Sequence, residues 1–411
     1  MNQNQNLSTD VCIVGGGPCG VFLGVLLARA GVDVVVLEKY PDFFRDFRGD
    51  TVHPSTLELL YELGWLDEFL AMPHNEIRNI SADVGGETVR MADTTHLPTH
   101  CKFVVLMPQW DFLNFLAERG RRYATFHLMM HTAGVGLIQD ANRVTGVRAT
   151  GPNGEIQITA KLVVGADGRH STIRDLAGFT VEDLGAPMDV LWMRIPKHPG
   201  DPVQQLGTIR TGQMLVMLDR GDYWQCAYLI RKGGFDELKK QGIETLQRAL
   251  VELVPALADR VALLDDWSKV SMLLVCVDRL TRWHRPGLLC IGDAAHAMSP
   301  IGGIGINLAI QDAVAAANIL AEPLRNGATP SESDLQRIQE RRMFPTKVTQ
   351  AFQLFIQDHA IDPLLHGAEV DRPPLAMRLL NDFPRLRRLP ARMIGIGVRP
   401  EHVHTPDAYA G

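Results

Sequence analysis

Cysteine is scarce and scattered in this chain. Its six cysteines (Cys12, Cys19, Cys101, Cys226, Cys276 and Cys290) form no CxxC pair and no zinc-type spacing. Neither a paired-thiol redox centre nor a metal site is therefore expected. Cys12, Cys276 and Cys290 stand in apolar runs, where a thiol behaves as a small buried hydrophobe. Positive charge is not in excess either: a net charge of −6 over 411 residues offers nucleic acid no general attraction. No run approaches the roughly 18 apolar residues that a bilayer crossing needs. The start, MNQNQNLSTD, lacks the basic and apolar regions of a signal peptide. These absences point to a reducing cytoplasm and no transmembrane segment. Repeats and low-complexity stretches are missing too. What remains is ordinary globular composition, 46% hydrophobic and 21% charged, long enough for two joined units.

Three distant segments end apolar strands in glycine and acid: Asp10–Gly20 (DVCIVGGGPCG), Lys161–Arg174 (KLVVGADGRHSTIR) and Leu288–Asn307 (LLCIGDAAHAMSPIGGIGIN). Each reads as a buried parallel strand delivering a polar turn to one edge of a single sheet. A helix follows the first turn to about Ala30, and Val32–Leu37 is a second strand. Helical spacing recurs over Ser55–Phe69 and Trp110–Tyr123. Arg143–Ala149 and Glu155–Thr159 flank Gly151-Pro152-Asn153-Gly154, a hairpin signal. From about Pro187 to Val277 the texture changes to strand-like runs with one helix, Ile243–Leu253. The fold class expected is α/β: a Rossmann-like domain with an inserted, mostly antiparallel sheet and C-terminal helices. The boundaries are 1–85, 100–180 and 280–355 for the first domain, 86–99 and 181–279 for the second, and 356–411 for the last helices.

Gly15, Gly17 and Gly20 form G-x-G-x-x-G between strand and helix, with Pro18 and Cys19 opening the helix. The glycines permit a tight turn, close approach of a pyrophosphate and close helix packing. Glu38, followed by Lys39, ends the second strand where a carboxylate can hold ribose hydroxyls. Gly292-Asp293 follows the third strand, placing a carboxylate to grip a polyhydroxyl chain. Gly302, Gly303 and Gly305 then lead, through Ile306, into a helix beginning near Asn307. Its free N–H groups suit the negative charge of a reduced flavin ring. A nicotinamide enzyme needs no such second acidic turn, so the dinucleotide is read as FAD.

These three motifs, in this order, resemble the FAD-dependent aromatic hydroxylases typified by 4-hydroxybenzoate hydroxylase. The resemblance runs from about Asp10 to Leu320. It implies that Asp167 and Gly168 belong to an Asp-Gly motif linked to FAD and the reduced nicotinamide. It implies that Arg48 and Gln109 touch FAD, that Asp293 holds the ribityl chain, and that Pro300 sits near the isoalloxazine. Pro300 and Asn307 are accordingly the candidates beside the reacting ring. NADH or NADPH would reduce the flavin, and O2 would supply an oxygen atom to a small phenolic or quinol-like aromatic substrate. A homodimer is left open. The family's Gly-Gln-Gly before the last helix is Gly303-Ile304-Gly305 here, which removes an amide on the substrate side. Two other classes stay open: a flavin reductase or dehydrogenase acting on a lipid-like substrate, and an FAD-binding scaffold without turnover.

Further expectations are structural. Ser55 should cap a helix with Glu58 closing a capping box, and His296 should be a packed structural residue. Arg169 and His170 face either nicotinamide phosphate or solvent. On the inserted sheet, alternation puts Tyr223 and Gln225 on one side and Trp224 and Cys226 on the other. Which side is inward stays open. Arg385, Arg387, Arg388 and Arg392 read as a solvated basic face, with contact to anionic lipid as the alternative. ERRMFPTKVTQ and VRPEHV, near the end, receive no role.

Overall fold

Five parallel strands carry the first domain in the computed structural model, which describes residues 5–44, 51–201 and 207–409. Gln5–Val14 lies between Gly154–Gly165 and Val34–Leu37; Leu288–Cys290 and Phe126–Met129 extend the sheet on either side. Val14 is in register with Gly165 and Leu37, and Gly165 with Cys290. All three glycine–acid turns therefore leave one sheet edge side by side, as the strand pattern implied. The strands are near-continuous Val, Ile and Leu because helices cover the sheet.

Pro18–Arg29 and Gly305–Arg325 pack against each other over that sheet. The stretch Ile301–Arg325 is long and apolar enough to cross a membrane by length and composition, against the sequence expectation. Its apolar window is 78% buried within the protein, so it is a core helix. Its alanines let Pro18–Arg29 and Glu332–Ile356 approach on two sides.

Several local expectations shift. The hairpin forms with Gly151 opposite Gly154, but Glu155–Thr159 and Lys161–Gly165 are one continuous strand, Gly154–Gly165. The helix expected over Ser55–Phe69 breaks into Pro54–Glu62 and Leu66–Leu70 at Gly64, whose φ is +71°. Ser55 does not cap it. His53 holds the N-cap position because Pro54 takes the first helical turn. The Glu58 carboxylate instead accepts from the His100 backbone N–H (2.9 Å) and Nδ1 (2.8 Å).

The second sheet has seven strands, in the order Ser271–Leu273, Met188–Pro196, Tyr223–Arg231, Gln213–Asp219, Gly207–Arg210, Asn79–Val84 and Glu87–Asp93. Asn79–Val84 pairs in parallel with Gly207–Arg210, so the chain enters this sheet at residue 79, not at 86. Leu191, Met193, Trp224, Cys226 and Tyr228 pack on the helix Ile243–Leu253. The opposite face, with Val190, Trp192, Ala227 and Leu229, meets Ile301 and Ile356 of the first domain. Tyr223 and Gln225 lie on this inward face by strand alternation. The last segment is only partly helical: Leu375–Asp382 and Arg388–Gly395 are helices, but residues 401–407 form no regular secondary structure.

Candidate flavin site

Backbone collisions hold the first two turns together. Gly15 has φ +114°, and a Cβ there would lie 2.3 Å from the Ala166 carbonyl oxygen. A Cβ on Gly20 would lie 1.9 Å from the Gly15 oxygen. A Cβ on Gly17 meets nothing within 4 Å, so this glycine borders open space where a phosphate can approach the backbone. Pro18 is the first residue of the helix, and the Cys19 side chain is buried behind it. Burial raises the Cys19 thiol well above its ordinary pKa, which makes it an inert packing group. Glu38 is nearly buried; its carboxylate accepts from the Gly16 N–H (3.1 Å) and the Tyr40 N–H (3.0 Å). It thereby ties the glycine turn to the second strand. Lys39 is exposed and lies over the Tyr40 ring. Gln109 opens the helix Gln109–Gly120, and Arg48 lies outside the described residues.

Asp167 faces its own turn, accepting from the Ser171 hydroxyl and from the Ile173 N–H (3.1 Å). Burial nonetheless raises its pKa above the usual carboxylate value, against those hydrogen bonds. Gly168 has φ +89° with open space beyond it. Arg169 is drawn to the third turn, with Nη2 3.8 Å from an Asp293 oxygen and Nη1 donating to the Leu274 carbonyl (3.3 Å).

The third turn rests on a buried charge network that the sequence reading missed. The Gly292 N–H donates to Asp312 Oδ2 (3.1 Å), and His296 Nε2 bonds the same oxygen (2.6 Å). Arg342 Nε donates to Asp312 Oδ1 (2.9 Å), and its Nη1 reaches Glu401 Oε1 (3.3 Å). These four side chains are at most 1% exposed. Burial alone would raise the Asp312 pKa, but His296 and Arg342 hold it below the ordinary carboxylate range. His296 is thus the structural residue expected. ERRMFPTKVTQ supplies Arg342 and VRPEHV supplies Glu401. The available signal was an aspartate inside the apolar run LAIQDAVAAAN, since a buried acid demands a partner.

Beyond Pro300, Gly302 and Gly303 adopt φ of +76° and +63°, and Gly305 starts the helix with Ile306 packed on the core. Pro300 is partly exposed beside this turn, and its carbonyl accepts the Gly303 N–H (3.0 Å). Asn307 is buried and works as a brace: its Oδ1 accepts from the His53 N–H (3.1 Å) and Thr56 Oγ1 (2.7 Å). Thr51 Oγ1 donates to the Gly303 carbonyl (3.2 Å). His53 Nδ1 carries its proton, because it bonds the Ile394 carbonyl at 2.7 Å. Burial lowers the His53 pKa to about 4, leaving a neutral ring whose Nε2 faces Gly303. The inward sheet face holds two buried N–H groups without a hydrogen-bond partner among the described residues, Trp192 Nε1 and Gln225 Nε2; the Gln225 Oε1 accepts from Arg220 Nε (3.1 Å).

A row of turns at one parallel edge, a glycine open to phosphate, an acid further along and a long helix's N-terminus facing the insert together fit an extended dinucleotide. They define a flavoprotein fold with an inserted sheet above the ring end. The chain belongs to the FAD binding domain family, which matches residues 8–351. It is an FAD-dependent monooxygenase of the aromatic hydroxylase class. The 6-methylpretetramide 4-monooxygenase of Streptomyces rimosus is 35% identical over 94% of this chain and 92% of its own length. The dialkyldecalin synthase of Streptomyces rugosporus is 27% identical over 80% of this chain and 68% of its own. In fold, the anhydrotetracycline hydroxylase OxyS of Streptomyces rimosus superposes with a TM-score of 0.73 at 24% identity, covering 95% of this chain and 76% of that one.

Proposed function

We propose that this enzyme takes electrons from NADH or NADPH and uses O2 to hydroxylate a phenolic or quinol-like aromatic molecule of fused rings. FAD, when bound, supplies the electron transfer and the oxygen activation. The chain's own residues bind, orient and exclude water. In this reading Gly15, Gly17, Gly20 and Glu38 receive the adenine half, Asp167 and Gly168 lie along the middle, and Asp293 grips the sugar chain. Arg48 and Gln109 complete the grip. The N–H groups opening the helix at Gly305 favour negative charge on the reduced ring. Asn307 acts by bracing that helix start against His53 and Thr56, and Pro300 borders the ring.

One observation carries the substrate class. The inward sheet face is apolar at Val190, Ala227 and Leu229 yet keeps the Trp192 and Gln225 N–H donors buried and unpaired among the described residues. An unpaired buried donor costs on the order of 1–3 kcal/mol, which a flat molecule bearing carbonyl or phenol oxygens would recover on binding. The test uses 6-methylpretetramide and simpler phenols as probes. The expected result is accelerated NAD(P)H consumption with label from ¹⁸O₂ in the product. Product without label would make the protein a reductase, and no acceleration by any probe would favour the turnover-free scaffold. Independently, Asp293→Ala should purify largely without yellow cofactor; full FAD occupancy would refute the ribityl contact.

A further inference from the structure

The C-terminal helices leave an apolar surface uncovered. Leu375–Asp382 packs Met377 towards Ala82, Val84 and Val89 of the sheet edge. The spacing of Leu375, Leu379 and Phe383 puts them in one row on another face. That row is exposed at 67%, 41% and 56%, and Leu389 at the start of the next helix is 69% exposed. Scattered surface leucines need no explanation, but a contiguous group of this size does.

The charge around this row is opposite to that of the whole protein. Between residues 372 and 392 stand six arginines and one acid, Asp382, in a chain whose net charge is −6. Arg387 is buried and spends itself on the Leu380 carbonyl (2.8 Å) and the Asn381 carbonyl. Arg378, Arg385, Arg388 and Arg392 are exposed around the leucines. Apolar side chains ringed by arginine on surface helices suit an interface where the leucines enter acyl chains and the guanidinium groups meet phosphates.

The second helix also leads inward. Arg388–Gly395 starts at the exposed Leu389 and ends at Ile394, whose carbonyl holds His53 at 2.7 Å. A Cβ on Gly302 would lie 3.5 Å from the Ile394 side chain. At 1.5 Å per residue, Leu389 and Ile394 are about 7.5 Å apart along the axis.

We propose that the surface formed by Leu375, Leu379, Phe383 and Leu389 with its surrounding arginines docks on anionic membrane surfaces. Docking would bring the flavin site next to a reservoir of apolar aromatic molecules; that consequence rests on the substrate reading above, whereas docking does not. The test is co-sedimentation of the FAD-loaded protein with phosphatidylcholine vesicles, with and without about one-third phosphatidylglycerol. Binding is expected only with the anionic lipid, fading as salt rises from about 0.05 M to about 0.5 M. Leu375→Glu with Leu389→Glu should abolish it, and Arg385→Ala with Arg388→Ala should weaken it about thirtyfold. FAD content should stay unchanged in all four substitutions. Failure to bind anionic vesicles, or binding indifferent to these variants, overturns the proposal. So does light scattering that shows a dimer broken by Leu389→Glu without vesicle binding, which would assign the face to a second copy of the chain.

Discussion

The strand-end turns and the inward face of the inserted sheet treat their polar groups in opposite ways. At the turns nearly every group is committed: Glu38 to Gly16 and Tyr40, Asp312 to Gly292, His296 and Arg342, and Asn307 to His53 and Thr56. On the sheet face, Trp192 Nε1 and Gln225 Nε2 are buried with no partner among the described residues. The first region is held in one geometry by bonds among its own groups. The second leaves donors unspent, which costs stability in the free protein and leaves them for a ligand. Preorganisation and readiness to bind are thus divided between two sheets.

The largest effect should come from the turns. Gly20→Ala forces a methyl into the Gly15 carbonyl and is expected to give insoluble or colourless protein, whereas Gly17→Ala should fold and lose only FAD affinity. Purification yield and flavin absorbance separate the two, and equal behaviour would break the contrast. Next is the buried network. Asp312→Asn should destabilise by about 3–5 kcal/mol in urea unfolding, because it removes the buried carboxylate charge shared by Arg342 and His296 and leaves Arg342 only Glu401. The milder Glu401→Gln should weaken FAD binding about tenfold in folded apo-protein, through the chain of contacts to Gly292. An unchanged FAD Kd would detach the C-terminal segment from the site.

The third effect is a pH dependence. His53 titrates at about 4 in the fold against an ordinary 6.5, so the unfolded chain binds more protons between those values. Stability should be complete above pH 6.5 and fall by about 3 kcal/mol as pH drops to 4. Asp312, held below the carboxylate range, adds a loss only at still lower pH, as it is protonated through its folded value. In His53→Gln the fall between pH 6.5 and 4 should shrink; an identical curve would refute the buried neutral ring. The smallest effect tests the sheet face. Gln225→Leu removes the unpaired Nε2 donor together with the Oε1 that accepts from Arg220 Nε (3.1 Å), so it should lower stability by no more than about 1 kcal/mol. Together with Trp192→Phe it should raise the KM for an oxygen-bearing substrate without changing FAD content. A loss well beyond that of the Arg220 hydrogen bond would mean that Nε2 is already satisfied.

Much of the candidate site's frame was legible because it is written in backbone requirements. Glycine at positive φ, proline at a helix start and β-branched runs without alternation are local, and they located the three turns. What was not legible depended on residues far apart meeting. Glu401 and Arg342 carry no local signature: Arg342 meets Asp312 across 30 positions and Glu401 across 59. The capping box failed for a similar reason. Ser55 and Glu58 have the right spacing, but Pro54 moves the cap to His53 and His100 claims the carboxylate.

By itself the amino-acid order determined the strands, the glycine turns and the alternation that sorts Gln225 from Trp224, since these follow from steric limits within a few residues. Only the tertiary structure decided which sheet face looks inward, which acids pair in the core, and that Asn307 braces rather than projects. Those outcomes depend on desolvation and packing between distant segments, which no local window of sequence contains.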